Sequence, residues 1–290
     1  MTPPSSRGLV LCGDPVPRNH SLHALLTCDT LLPVAQMIGH LAVPWWIARE
    51  GGASDLALYG LVLGLATLVA LPLLAPLSER HAKRPQMVLG LVLMSLAALA
   101  FAVQAGFANY RLWHLMVVGC VAVLADTLVS PTSAAVAAEL VNPAQLPALL
   151  QRRKTAQSFG RLVGPVASGS ALALAGVAAS LWLQCAMFAL VAMAALRMPS
   201  SAPVRTRLGS GNGFARWWAD LAAGARAKWA VPIERGWTAV NFGVWIFIAP
   251  AVGMLVPLKV QSLGLSAAWL GASEAALSAG MLVGSLGGLA

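Results

Sequence analysis

Charge is what this chain has least of. Only 10% of its 290 residues are Asp, Glu, Lys or Arg, against 58% that are apolar, and mean hydropathy is +0.76. A soluble domain carries about a quarter charged residues, because its surface must face water. The shortage excludes a water-soluble globular fold and leaves lipid as the solvent for most of the exterior. Acids are scarcer still, 10 against 19 basic residues, for a net charge of +9. A basic balance can signal nucleic acid, but here the basic residues stand in short clusters between apolar runs. That placement orients membrane proteins, so no nucleic-acid partner is expected. The four cysteines (Cys12, Cys28, Cys120, Cys185) include no pair at metal-ligand spacing, and neither a metal nor another cofactor is expected. The first residues, MTPPSSRGLVLCGDPVPRNH, lack the charged start, apolar block and cleavage site of a signal peptide.

What the chain has in quantity is long apolar runs. A span needs about 20 mostly apolar residues to cross a hydrocarbon core of ~30 Å. Eight runs qualify: 23–48, 55–76, 86–107, 112–139, 157–178, 180–197, 236–259 and 266–289. They do not alternate as barrel strands would, so each is expected to be a helix that satisfies its own backbone. The break between the fifth and sixth rests on one turn signal, GVAAS. With both ends cytoplasmic, 16 of the 19 Lys and Arg face inward, leaving Arg49, Arg111 and Lys259 outside. The expected fold is therefore an all-α polytopic membrane protein with both termini cytoplasmic. Residues 1–20 form an N-terminal tail, 21–197 a six-helix bundle, 198–235 a cytoplasmic loop, and 236–290 a partial second bundle. Within the loop, GFARWWADLAAGARAKWA places Phe214, Trp217, Trp218, Leu221, Ala225 and Trp229 at helical spacing. It reads as an amphipathic helix on the inner leaflet, or as an extension of the next span.

The inside loop between the second and third spans, LSERHAKRP, is the densest charge cluster. Six helices, a long basic loop and a second helical set resemble the major facilitator superfamily, and this loop sharpens the likeness. The family signature there is Gly, Leu, Asp-Arg, Gly and two basic residues. Ala75 stands at the first Gly, Leu77 matches, Glu79-Arg80 replaces Asp-Arg, Ala82 replaces the second Gly, and Lys83-Arg84 supplies the basic pair. A second stretch, from Ser130 to Gly176, resembles span four, the following loop and span five. It carries Pro131, Glu139, Asn142-Pro143 and the small-residue series Gly160, Gly164, Pro165 and Gly169. The overall look is nearest the branch of enterobactin-type siderophore exporters. Family members have twelve spans; this chain ends after the eighth, which is expected to mark a truncated product or, alternatively, an eight-helix form.

The resemblance implies a set of roles. Glu79, Arg80, Lys83, Arg84 and Glu139 would form an inside charge cluster that latches the two halves; without it they are a topogenic loop. Gly160, Gly164, Pro165 and Gly169 would be a flexing element, or a packing kink. Spans one, four and seven would line a central cavity, making Asp126, Asp29, Gln36, Asn241 and His40 candidates for substrate or proton handling. An ionised Asp at the middle of a span costs roughly 2.5–3.5 kcal/mol, so Asp126 is expected to face a cavity, to be protonated, or to bond a neighbouring helix. Asp29 lies nearer the inner end, where capping is an equal reading. His40 pairs with Asp126, lines the cavity or simply packs. Glu274 is a further costly acid in span eight. The family's cavity arginine in span four would fall near Gly119 and is missing.

The expected function is a secondary active transporter in the bacterial inner membrane, exporting an amphipathic small molecule against proton movement. Its partners would be the lipid bilayer, the substrate and protons. A non-transporting scaffold, or one chain of a split transporter, is the competing class. An intramembrane enzyme built on Asp126 with His40 or His114 ranks last, because no nucleophile or metal motif accompanies them. The topology is directly testable. A cysteine or tag placed in the turn at Arg111 should be modified by membrane-impermeant reagents added outside intact cells, and protection there would overturn the orientation.

Overall fold

The computed structural model describes residues 18–80, 82–107, 109–141, 143–197 and 213–287. The side chains of Glu79, Arg80, Glu139 and Asn142 lie outside that description. The described residues form helices α1 (Arg18–Glu50), α2 (Gly52–Arg80), α3 (Lys83–Gly106), α4 (Leu112–Leu140) and α5 (Leu146–Leu196). After the segment at 198–212 come α6 (Gly213–Ala230), α7 (Pro232–Pro250), α8 (Val256–Ser262) and α9 (Ala267–Gly287). Six helical stretches are long and apolar enough to cross a membrane, among them α5 with its 51 residues and Pro232–Ser262. The all-α polytopic architecture is thus what the sequence implied.

Two of the expected boundaries move, each for a local reason. Spans five and six run as one helix, broken only at Gly176, where φ is 80°. That left-handed backbone suits glycine, which has no Cβ to clash. The turn signal in GVAAS thus acts through its first residue, and Ser180 donates a hydrogen bond back to the Gly176 carbonyl (2.9 Å). The first arm also starts at Leu146 rather than 157, with Pro147 in its first turn. Arg152, Arg153 and Lys154 therefore sit on a helix and not in a loop. A proline at a first turn gives up no helical hydrogen bond, so LPALLQRRKTAQ begins a helix readily. Residues 251–255 form a π-turn after Pro250, which continues the seventh span into α8. Helix α6 covers the GFARWW… segment expected to be amphipathic.

Helix α1 runs through the middle of the bundle and packs most extensively on α5. Buried apolar residues form two layers along it. One gathers Leu25, Cys28 and Ala35 with Met87, Val129 and Val191. The other gathers Val43, Trp46 and Ile47 with Leu56, Phe101 and Leu115. The remaining large apolar side chains point outward, as a lipid-facing surface requires, and α7 has no buried residue at all. Because lipid is as apolar as leucine, helices associate in a membrane through close packing at small residues. The structure is consistent with that. A Cβ at Gly160 would collide with the Thr30 carbonyl, and one at Gly164 would meet Met37. A Cβ on Gly169 would stand 2.8 Å from the Gly271 Cα, joining α5 to α9.

Gly169→Ala and Gly271→Ala should each cost about 1–3 kcal/mol by overpacking, read as a lower melting temperature of the detergent-purified chain. Gly280→Ala, where nothing stands within 4 Å, should leave melting unchanged. Equal effects at all three positions would remove the α5–α9 seam as a packing determinant.

Candidate functional site

The site is organised on one face of α1. Asp29, Pro33, Gln36 and His40 follow at intervals of four, three and four residues, so they align along the helix axis. Each meets something different. Asp29 is buried, 4% exposed, opposite the equally buried Arg153 of α5. Arg153 Nε donates to Asp29 Oδ2 at 2.6 Å and Nη2 donates to Oδ1 at 2.9 Å. Gln157 Nε2 adds a third donor to Oδ1 (2.8 Å), and Arg153 Nη2 also reaches Ser133 Oγ on α4 (3.2 Å). A bidentate guanidinium–carboxylate pair with its remaining lone pairs filled is the form in which burial of two charges is tolerated. Asp29 thus ties α1 to α5, and through Ser133 to α4.

Gln36, seven residues on, donates through Nε2 to Asp126 Oδ1 at 2.6 Å. This is the link between α1 and the middle of α4. Gln36 and Asp126 line two cavities at once. The larger, about 380 Å³, lies between α1, α2, α3, α4 and the second arm of α5, with His40, Tyr59 and Gln184 on its wall. The smaller, about 100 Å³, is shared with Asp29, Gln157 and Arg161. A third cleft of about 480 Å³ opens between α4 and α5 beside Arg153, Lys154 and Arg161. Asp126 is therefore a carboxylate at the junction of two polar-edged spaces, held by one neutral amide.

Of the other expected residues, Arg84 donates to the backbone carbonyl of Leu196 at the end of α5. A cation at a helix C-terminus meets the unpaired carbonyls and the negative end of the dipole. Lys83 is half-exposed beside it in sequence. Glu79, Arg80 and Glu139 fall outside the described side chains. Gly160 and Gly164 pack on α1, while the Pro165 carbonyl and Gly169 face Gly271 of α9. Asn241 donates to the Trp237 carbonyl of its own helix (3.0 Å) and lines none of these spaces. Glu274 is buried, 8% exposed, with no hydrogen bond among the described residues. His114 stacks on its neighbour Trp113 (centroids 3.6 Å apart), and it is not among the residues lining the cavity with Asp126. Gly119, where the family arginine would stand, instead lets Tyr59 and Leu63 of α2 approach α4.

Two neighbours of these groups escaped sequence reading. Arg153 was one of several inside-facing cations, and nothing in its spacing distinguished it from Arg152. Gln184, inside LWLQCAMF, is neutral and so drew no attention, yet it is 7% exposed, lines the larger cavity and leaves its Oε1 without a partner. At the opposite end of the bundle, the Tyr110 hydroxyl donates to Asp55 Oδ2 (2.8 Å) under the edge of Trp46. Burial, then this bond and the nearby carboxylates, pushes the Tyr110 phenol well above its ordinary range.

Arg153→Ala leaves a buried carboxylate uncompensated, and stability of the chain in detergent should fall by about 3–5 kcal/mol. Asp29→Leu combined with Arg153→Met should recover most of that loss. Denaturant titration followed by circular dichroism checks both, and equal losses would show that the pair is not the source.

The model of the Major Facilitator Superfamily matches residues 31–290. Among solved structures, a POT family transporter in complex with 5-aminolevulinic acid aligns with TM-score 0.55 and 13% identity, over 80% of this chain and 49% of that one. A bacterial homologue of the human drug peptide transporters aligns with TM-score 0.52 and 14% identity, over 81% of this chain and 56% of that one. A POT family transporter in complex with thioalcohol-conjugated peptide gives TM-score 0.52, 14% identity and coverages of 79% and 47%. At such identities the likeness is one of fold, and this chain spans about half the length of those proteins. A search of curated protein sequences gave no match. With the family model covering most of its residues and the helical fold agreeing, the chain belongs to the Major Facilitator Superfamily.

Proposed function

We propose that the chain works in proton-coupled secondary transport, moving an amphipathic small molecule out across a bacterial inner membrane. The observation that carries this reading is the Gln36–Asp126 hydrogen bond at the meeting of two cavities. An ionised Asp126 accepts from the Gln36 amide and holds α1 to α4. Adding a proton removes the charge that strengthens this bond and gives one carboxyl oxygen an O–H to donate, while the other oxygen can still accept from the amide. A proton at this position therefore changes the contact between two cavity-lining helices, which is what coupling needs. The intramembrane location supports the same role, since a carboxylate there is costly unless it works or is neutralised. Rocking of a bundle at 21–197 against a second set of helices from 236 onward would supply alternating access, with 198–235 as the connecting loop. The Asp29–Arg153 pair pins α1 to the first turns of α5 and, through Ser133, to α4. Arg84 on the Leu196 carbonyl is the described part of the latch that Glu79, Arg80, Lys83 and Glu139 would complete. The Gly160, Gly164, Pro165 and Gly169 series is where α5 would flex against α1 and α9. The exporter direction is supported by the sequence resemblance.

The bare surface of α7 favours one competing arrangement, in which this chain is part of a split transporter. Both are tested in proteoliposomes with an imposed proton gradient and fluorescent amphipaths such as ethidium. Gradient-driven accumulation that Asp126→Asn lowers about tenfold or more, with insertion unchanged, is the expected result. Transport by the variant equal to the parent would remove Asp126 from coupling. No transport by the chain alone, restored by a second polypeptide, would establish the split form.

A further inference from the structure

We infer that the cleft between α4 and the first arm of α5 binds the anionic group of an amphipathic ligand, with Arg161 as its charge partner. This deepens the transport reading and rests on it for its biological meaning. The cleft brings together Arg153, Lys154 and Arg161 with the hydroxyls of Ser130, Ser133 and Ser158, and no carboxylate lines it among the described residues. Leu150 and Ala134 add an apolar wall.

The charges are not equivalent. Arg153 is consumed by Asp29, and Asp29 is filled by Arg153 and Gln157. Asp126 is held by Gln36. Arg161 makes no hydrogen bond or ion pair with any described residue, and neither does Lys154. The hydroxyls of Ser130 and Ser158 likewise have no described partner. Depth separates Arg161 from the cations that merely set orientation. It lies eight residues beyond Arg153, about 12 Å further along the helix, and one turn before Gly164, which packs on the body of α1. Arg161 also edges the small cavity that holds Gln36 and Asp126. An unpaired guanidinium at that level is retained where it faces a polar space and serves a ligand. Its planar fork matches a carboxylate, sulfonate or phosphate, and free serine hydroxyls supply further donors. The shared chemistry is an anionic head on an apolar body, which either a soluble amphipath or an anionic phospholipid presents.

The test uses the full chain in nanodiscs, with no gradient. Calorimetric titration in pure phosphatidylcholine compares naphthoate and naphthyl phosphate with naphthylmethylammonium. The anions should bind and the cation should not. Arg161→Gln should weaken the anions about tenfold or more, and Lys154→Gln less, since a planar fork can bond an anion bidentately and a flexible ammonium cannot. In a parallel arm, nanodiscs doped with phosphatidylglycerol show whether lipid takes the site. Arg161-dependent retention of that lipid, with loss of naphthoate binding, assigns the anion to the headgroup. Gel filtration verifies that Arg161→Gln remains folded, as a residue without intramolecular partners should allow. Equal binding of anion and cation, or anion and lipid binding untouched by Arg161→Gln, overturns the site. Binding without transport would sink only the coupled-transport reading, and transport without Arg161-dependent binding only this one.

Discussion

A bilayer offers helices no reward for hiding leucine from leucine, because lipid is as apolar as the partner helix. Everything specific in this molecule follows from that constraint. Contacts that fix register must come from close backbone approach or from polar bonds with no competing water. The glycines facing Thr30, Met37 and Gly271 supply the first. The Asp29–Arg153 pair and the Gln36–Asp126 bond supply the second. Both kinds converge on α1 and α5, which is why those two helices pack most extensively.

The two polar ties differ in how easily they can be undone. Arg153 and Asp29 are both charged, both buried and each satisfied by a further partner, Ser133 accepting from Arg153 and Gln157 donating to Asp29, so separating them strands two buried ions. Gln36 and Asp126 join a neutral amide to a group whose charge a single proton cancels. Seven residues apart on one helix face, α1 therefore carries a permanent clamp and a reversible one. A rocking bundle needs that combination, since a body that moves as a unit must be rigid somewhere and releasable elsewhere.

Helix type and the rough place of most helices were legible because apolar run length acts locally, one segment at a time, although the fifth and sixth expected spans run as one helix. The ends of those runs were less so. LPALLQRRKTAQ is polar enough to read as a loop, yet it is helical, since polarity marks the limit of the membrane and not of the helix. Asp126 stood out as an acid in an oily span, and the structure indeed places it at the cavities. Asp29 looked like a cavity or capping residue, and only the fold shows that a cation 124 positions away occupies it. Such a partner cannot be read from spacing, because the pairing exists only after α1 meets α5. Asn241 had the residue type of a cavity wall but bonds within its own helix, a choice that composition does not decide.

The arrangement of the remaining charge gives the proposed anion site and the proposed proton site a common thermodynamic basis. Arg161 and Asp126 border the same 100 Å³ space. An anion drawn to Arg161 and a negative charge on Asp126 would repel each other across that space. Occupancy by the anion and ionisation of Asp126 are then linked, and reciprocity requires each to oppose the other by the same free energy. The proton that relieves this repulsion also removes the charge that strengthens the bond from Gln36. Ligand charge and helix contact are in this way joined through one carboxyl group, without any wire of intervening residues, because the three groups meet at one cavity wall.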